Sequence, residues 1–528
     1  MSAALTLSEK LRTLPMLRVL VPMVAGIACG SLVAVPIHVC VVVTVVCGVT
    51  AGLAIRRRTA FLTLYVCLTI LFFGATLARI HTPRPVVPQG GRVWMEIVLT
   101  DTPIVREGQR GAATSGTVTR WHPDETTPAE IGWHLARERL LVTIDTMWSL
   151  GAGDRVTFRG YVNPVSDTVD SYSRLMRARG YTGRTYITQY SHPAVAPERA
   201  RSLALWAKNL QIAATERLRR LSGNAHGGSF IGPEGYGANA IAVAAAMTTG
   251  DRSGITPAMR RSYSRTGASH LLAVSGLHVG IVFMIVNALL WLLPLVRGGH
   301  IVGNVLAVVA IWFYAALTGG SPSVVRAAFM FSGAQVALAT SQTRGPANIM
   351  CGTAVVMLAV RPGLLFDISF QLSFVAVAAI MAWFRPLYSL VASRWRLLNV
   401  VWGSLLVGFV ASVATMPLVS HTFGVFSPAG LVLNPVVILT AYLTVGFSLL
   451  WIVVPAGFLA PVFRWLAGGS AWLQNRVVEM VGSVPGAAVE WTMPLWMVFA
   501  VYAAMIIFTA WLGARSTCKT AGPFILPR

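Results

Sequence analysis

The sequence predicts a polytopic α-helical membrane protein with a small external β-barrel, an OB-like domain, inserted after the third span. Three observations predict it. Of 528 residues, 55% are hydrophobic and 12% charged, with mean hydropathy +0.65, a profile that excludes an ordinary soluble enzyme. Apolar runs of spanning length come in two groups. Between the groups lies a polar stretch, 84–200, built of short β-rich runs.

The first apolar group covers 17–34, 37–55 and 60–80. Lys10, Arg12 and Arg18 precede it, and Arg56, Arg57 and Arg58 follow its second run. Basic flanks mark the cytoplasmic side. The N-terminus is therefore expected inside and 84–200 outside, with residues 1–83 as a three-span anchor.

Within 84–200 the runs RVWMEIVL, SGTVTRW, RLLVTID, RVTFRGYV and GRTYITQY are separated by Gly, Pro and Asp. β-branched and aromatic residues bounded by turn formers read as strands. Five of them suggest a small barrel, for which an OB-fold is one candidate. A short helix is expected at 170–179. Trp121, Tyr161, Tyr181 and Tyr186 lie near Arg120, Arg159 and Arg184. Such a set can stack and neutralise a single strand, but packing of strand aromatics into a core is the favoured reading.

Residues 201–268 read as interfacial helices. The run 203–221 is amphipathic and ends in Arg217, Arg219 and Arg220, the pattern of a helix lying at a membrane surface. A weakly apolar piece, 239–248, leads to DRSGITPAMRRSYSRTGA, which carries Arg252, Arg260, Arg261 and Arg265. Arg261 and Arg265 stand one turn apart on one helix face.

The second apolar group covers 269–296, 301–318, 322–340, 346–360, 366–384, 398–416, 428–454 and 494–512, within a core expected at 269–515. With 269–296 running inward, Arg297, Arg344, Arg385, Arg394 and Arg396 all fall inside, and Arg361 is the exception. The stretch 456–490 is expected to lie flat on the membrane, and 516–528 is a basic tail.

Net charge is +23, from 42 Lys and Arg against 19 Asp and Glu. Topology-setting loop arginines explain most of it; a surface for a polyanion is the sharper alternative. The predominance of Arg over Lys suits bidentate phosphate contact. The six cysteines, Cys29, Cys40, Cys47, Cys67, Cys351 and Cys518, show no CxxC spacing. They read as small packing residues, without zinc or redox chemistry.

Polar groups inside hydrocarbon are costly and face partners or water. In the second group they are His270, Ser275 and His278; Ser321, Ser323 and Arg326; Asp367, Ser369, Gln371 and Ser373; His421; and Asn434. On one regular helix His270 and His278 project about 80° apart, so both can face one cavity, with Ser275 about 60° further on. Gly276 permits close backbone approach. Arg326 and Asp367 can pair. Asn434-Pro435 is expected to break or kink its helix. The expected lining of an externally open cleft is thus His270, Ser275, Gly276, His278, Asp367, Gln371, His421 and Asn434. The expected phosphate contacts are Arg252, Arg260, Arg261, Arg265 and Arg326. A metal site from His270, His278 and Asp367 lacks close ligand spacing, and no metal, cofactor or P-loop is expected.

The order GDRSGI…GASHLLAVSGLHVGIV, then Gly319–Arg326, then FQLSF at Phe370–Phe374, then the segment Pro417–Pro435, resembles the ComEC family of inner-membrane DNA-uptake channels. The resemblance covers roughly 17–510. It implies passage of single-stranded DNA across the bacterial cytoplasmic membrane. It also implies a DNA receptor at the outer face, a cytoplasmic helicase or motor and a single-strand-binding protein as partners. Many relatives carry a metallo-β-lactamase-like domain; no HxHxDH motif follows residue 512 here, so nuclease activity is not carried over and no enzyme is expected. The rivals are an intramembrane serine hydrolase built on Ser275 and His278, and a transporter of another anionic solute or polymer.

Overall fold

The computed structural model describes residues 14–33, 36–57, 62–82, 84–105, 111–123, 132–145, 147–148, 150–165, 173, 176–177, 179–191, 193–196, 202–220, 237–291, 299–339, 345–391, 395–454 and 459–519. They fall into two compact bodies. One comprises 19–212 and 355–367; the other comprises 1–18, 213–354 and 368–528.

The first body holds three long apolar helices, α1 (Pro15–Leu32, from Val19), α2 (Ile37–Arg57) and α3 (Leu62–His81). Gly26 and Gly30 of α1 lie against the backbone of Leu71 and Ala75 in α3, where any added Cβ would overlap main-chain atoms. Glycines four apart let two helices touch backbone to backbone, the packing that lipid favours. Thr44 and Thr76 share a 2.9 Å hydrogen bond between α2 and α3.

A sheet follows: β1 (Arg92–Leu99), β2 (Ile104–Val105), β3 (Ala112–Pro123), β4 (His134–Ile144), β5 (Arg155–Tyr161), β6 (Asn163–Pro164), β7 (Tyr181–Ile187) and β8 (Ala194–Val195). All five expected strands are present; the three short ones were not expected. The ladders run β6-β7-β4-β3-β1-β5-β8, with β2 on β3. β4 and β7 are parallel and the other ladders antiparallel. The path is open, so the expected closed barrel is corrected: β6 pairs over two residues only, and Pro164 has no N–H to extend a ladder. The sheet nonetheless curls, since a Cβ added to Gly160 of β5 would meet Thr185 Oγ1 of β7 at 3.5 Å. Alternate residues of β1, β4 and β5 fill the core, among them Met95, Ile97, Leu140, Val142, Val156 and Phe158. The helix expected at 170–179 falls largely outside the described residues.

The second body is helical. α4 (Leu203–Arg219, from Ala213) leads to α5 (Ala238–Thr248) and α6 (Pro257–Arg265). Then come α7 (Gly276–Leu289), α8 (Gly299–Leu317), α9 (Pro322–Ala339), α10 (Pro346–Val360, to Ala354), α11 (Ile368–Tyr388) and α12 (Arg396–Phe423). A short ladder of β9 (Val425–Phe426) with β10 (Val489–Glu490) brackets α13 (Pro428–Val453) and α14 (Leu459–Gly482), and α15 (Leu495–Lys519) closes the order. α5 is the buried pivot: Ala240 to Thr248 are all buried, against α13 and α14.

Three expectations are corrected here. The run 269–296 is not one helix: a 3₁₀ turn at Ser269–Leu272 and an extended stretch precede α7. The stretch expected to lie flat contains α14, a core helix burying Ala467, Ala471, Gln474, Asn475 and Val478. Of the break or kink expected at Asn434-Pro435, the break is absent: α13 runs on past it, because a proline removes one N–H bond while the rest of a long helix holds.

Among the described residues seven helices are long and apolar enough to cross a membrane, and Ala238–Thr248, Gly276–Leu289, Ile301–Leu317 and Pro346–Val360 are shorter apolar helices. The chain is a polytopic helical membrane protein carrying a β-sheet domain.

Candidate functional site

The chain from Gly250 to His278 carries four arginines, two histidines and several hydroxyls, and each step of it has a local cause. Gly250 takes a positive φ of 78° to leave α5. Asp251 Oδ1 then accepts from the Ser253 N–H at 3.0 Å, an Asx turn. Thr256 caps α6 by accepting from Met259 N–H at 3.2 Å, and Pro257 pre-sets its first turn.

α6 is two-faced. Met259 and Tyr263 are buried; Arg260, Arg261 and Arg265 are exposed, as is Arg252 just before the helix. No carboxylate forms an ion pair with Arg260, Arg261 or Arg265 among the described residues. The buried face is fastened by Tyr263, whose hydroxyl donates to Asn475 Oδ1 at 2.7 Å and accepts from Gln474 Nε2 at 3.3 Å. The C-terminal end is fastened by Ser427, whose Oγ reaches Arg265 O at 2.7 Å and Ala487 O at 3.0 Å. Gly267 turns the chain at φ 69°. A Cβ on Gly430 would come within 2.9 Å of Thr266 O, so α13 meets this turn backbone to backbone. The arginine helix is thus held against two distant segments of the sequence.

Beyond the turn, His270 is exposed and its Nδ1 lies 3.1 Å from Gly267 O. Ser275 caps α7 in a reciprocal box. Its Oγ accepts from the main chain of His278, and His278 Nδ1 accepts the Ser275 N–H at 2.9 Å. Histidine fills the place usually held by Glu or Gln. An accepting Nδ1 puts the proton of the neutral ring on Nε2. His278 is 0% exposed and Nε2 has no partner among the described residues. Because His270 sits on the 3₁₀ turn and His278 on α7, the expectation that both project from one regular helix is corrected; the cap at Ser275 imposes the break. Gly276 approaches Ala327 of α9, to whose Cβ an added Cβ would lie 3.4 Å away.

A second group joins α9 and α11. Ser323 Oγ and Ser369 Oγ lie 3.1 Å apart. Arg326 is 3% exposed, donates through Nη1 to Ser369 O at 3.5 Å and lies 5.4 Å from the Phe374 ring centroid. It differs from the four surface arginines in being enclosed. Gln371 is half-buried on α11. His421 is exposed near the end of α12, with Nδ1 2.9 Å from Met493 O. Asp367 belongs to the other body, is buried, and accepts from Arg179 Nε at 3.3 Å. The Asn434 side chain lies outside the described residues. Among the described residues no three His, Cys, Asp or Glu side chains gather as metal ligands.

The sheet carries a separate cavity of about 620 Å³ lined by Arg92, Arg159, Gly160, Tyr161, Asn163, Tyr186, Thr188, Tyr190 and Ser191. Tyr161 and Tyr186 are about half exposed and Tyr190 is 80% exposed; the Arg92 guanidinium sits 5.1 Å from the Tyr161 ring centroid. For Tyr161 and Tyr186 the core-packing expectation is corrected, since both point away from the side that Val156, Phe158 and Ile187 bury. Trp121 does pack against the core. Sequence reasoning missed Gln474, Asn475 and Ser427. The helical spacing of Ala467, Ala471, Gln474, Asn475 and Val478 was the available signal.

Known proteins resemble this chain. The family model described as competence protein matches residues 247–515, a stretch that holds the arginine helix, Ser275, His278, Arg326 and His421. The ComE operon protein 3 of Bacillus subtilis is 28% identical over 261 residues, 48% of this chain and 31% of that protein. An uncharacterized protein of Aquifex aeolicus is 30% identical over 179 residues, 34% of this chain and 39% of that protein. The chain thus spans about a third of the length of these curated relatives. No solved structure matches.

Proposed function

This chain belongs to the competence protein family, and on that premise we propose that it passes one strand of DNA through the bacterial cytoplasmic membrane. The observation that carries the reading is α6: exposed Arg260, Arg261 and Arg265 without carboxylate partners among the described residues, standing immediately before the Ser275–His278 turn. A single strand brings one negative charge per nucleotide, and cations at its point of entry release its counterions.

The sheet is read as an external OB-like domain. Support comes from its strand order, with one parallel pair, and from β6 following β5 after Val162 alone. Its tyrosine cavity suits base stacking, which is tolerant of sequence. Arg252, Arg260, Arg261 and Arg265 are assigned to phosphate contact and Arg326 to an enclosed position deeper in. His270, Ser275, Gly276, His278, Asp367, Gln371, His421 and Asn434 are assigned to the passage. A surface DNA receptor, a cytoplasmic motor and a single-strand-binding protein are the expected partners. One feature weighs against the hydrolase alternative: Ser275 Oγ lies 3.4 Å from His278 Nδ1, but that nitrogen also accepts the Ser275 N–H at 2.9 Å, so its lone pair is shared with the main chain and is a weaker base for the hydroxyl.

The test is delivery of labelled single-stranded DNA into vesicles holding the purified chain. Protected label that depends on the protein, and falls in an Arg260→Gln/Arg261→Gln/Arg265→Gln variant at equal protein level, is the expected result. Uptake of another polyanion with no uptake of DNA would overturn it.

A further inference from the structure

Arg361, directly after α10, sits in a cluster with excess positive charge. Its Nη2 donates to the main-chain oxygen of Arg179 at 2.7 Å, and Arg139 Nη1 donates to the same oxygen at 3.2 Å. Arg179 uses Nε on Asp367 at 3.3 Å, and its Nη groups have no protein partner among the described residues. Three arginines against one aspartate leave two positive charges in excess. Burial pushes the Arg361 pKa down; Arg139 and Arg179 push the same way, against Asp367 and Tyr181.

The position of the cluster says which anion fits. α3 packs on the 3₁₀ turn Pro362–Phe366, and its last turn holds Arg79, Ile80 and His81. α10 ends at Val360, directly before Arg361. Both are apolar helices. Ile80 is 55% exposed, Val360 69%, and Phe366 is exposed as well. Side chains that belong in hydrocarbon therefore give way to guanidiniums within a residue or two. This is the layering of a membrane boundary, apolar side chain below and cation at headgroup level.

We infer that Arg139, Arg179 and Arg361 hold the phosphate of an anionic phospholipid at the level where α3 and α10 leave the hydrocarbon. The Arg179 Nη pair is the fork that faces the phosphate oxygens. Arg139, whose Nη groups meet the Arg179 oxygen and the Tyr181 hydroxyl, and Arg361 add charge and hold that fork in place, and basic pockets beside membrane helices are where anionic headgroups bind. The bound lipid supplies the missing negative charge and ties the sheet, through β4 and the turn before β7, to the bilayer surface. The inference does not depend on what the chain transports.

The full chain is placed in nanodiscs of phosphatidylcholine alone or with phosphatidylglycerol added. Thermal unfolding and lipid retention by native mass spectrometry are read in each. The expected result is a higher Tm and a retained phosphatidylglycerol for the unaltered protein, with the increment lost in Arg139→Gln/Arg179→Gln. Arg139→Lys/Arg179→Lys keeps the charge without the fork and retains part of the increment, which tests the idea if the glutamine variant does not fold. Equal Tm in both discs, or a full increment in the glutamine variant, overturns the assignment. So does an increment reproduced in phosphatidylcholine discs by inorganic phosphate, which marks a soluble anion, or by a short DNA strand, which marks a nucleic-acid site.

Discussion

Arg361 donates through Nη2 to the main-chain oxygen of Arg179, 2.7 Å away across 182 positions of sequence. The bond joins the end of an apolar helix to the turn that feeds β7. It also gives Arg361 a role in the fold that is separate from setting topology. Orientation rules are statistical biases on loops; a guanidinium used as a strut for a folded domain answers to that domain instead.

Removing the strut is the first prediction. Arg361→Gln withdraws a charged donor from the Arg179 carbonyl, which retains only the longer bond from Arg139. Bonds of this kind contribute about 1.5–3 kcal/mol. Relief of repulsion with Arg139 and Arg179 offsets part of that, so a loss of about 1 kcal/mol is expected. Hydrogen exchange of the β7 amides between Gly183 and Ile187 reads it. Unchanged protection there would mean the bond is incidental.

The second prediction concerns α6. Neutralising Arg260, Arg261 and Arg265 together removes three cations with no carboxylate partner among the described residues. For single strands the logarithm of affinity falls with the logarithm of salt by about 0.7 per phosphate neutralised. The triple Gln variant should therefore flatten the salt slope by about 2. Fluorescence anisotropy of an oligonucleotide across a salt series measures it. An unchanged slope would remove α6 from the strand's path.

The third prediction separates stacking from charge. Tyr161→Ala and Tyr186→Ala each take a half-exposed ring from the cavity of the sheet. Each should cost about 1–3 kcal/mol of single-strand affinity, roughly a 5- to 150-fold weakening, and leave the salt slope as it was. Equal weakening for a base-free polyphosphate would show that the rings support the fold and not the bases.

What could be read in the sequence follows from how strongly each pattern is imposed. β1 is RVWMEIVL residue for residue, because alternation over a half-buried strand leaves one register only. The same alternation already put Tyr161 out of phase with Val156 and Phe158, so its exposure was legible and was not read. The break before α7 was hidden because Ala273–Ser275 is as apolar as a helix; only the Ser-x-x-His spacing told of a cap. α14 was hidden for the opposite reason. Its small and polar core residues, Gly468, Ala471, Gln474 and Asn475, lower its hydropathy, though they mark close packing within a protein. The contacts of Ser427 with Arg265 and Ala487 join segments far apart in sequence, which periodicity cannot reveal.

That contact carries the fourth prediction. Ser427→Ala removes the hydroxyl that reaches the Arg265 carbonyl at the end of α6, at a cost of about 1 kcal/mol. Gly430→Ala sets a methyl 2.9 Å from the Thr266 oxygen and must push the turn or α13 aside. Both variants should loosen α6 while leaving its arginines present. DNA affinity then weakens modestly with the salt slope retained, and a protease site introduced at Arg265–Gly267 is cut faster. A Gly430→Ala protein that resists cleavage as the parent does would show that α13 yields without moving the turn.

The last prediction tests the cap at α7. Ser275→Ala removes the oxygen that accepts from His278, and such a loss costs about 1 kcal/mol. Ser275→Asp restores an acceptor but cannot serve as a hydroxyl nucleophile. If the serine works by shaping the turn, strand delivery into vesicles falls in the Ala variant and recovers in the Asp variant. If it works by covalent chemistry, both variants are equally inactive. His278→Ala removes Nδ1, which closes the box, and also Nε2, which has no partner among the described residues. Delivery should fall there at equal protein level in the membrane. His278→Asn offers an acceptor close to the position of Nδ1 without the distant Nε2 donor, so it divides the two roles. Recovery in His278→Asn assigns the histidine to the cap. Failure to recover, with α7 intact by hydrogen exchange, assigns the buried Nε2 to the passage of the strand.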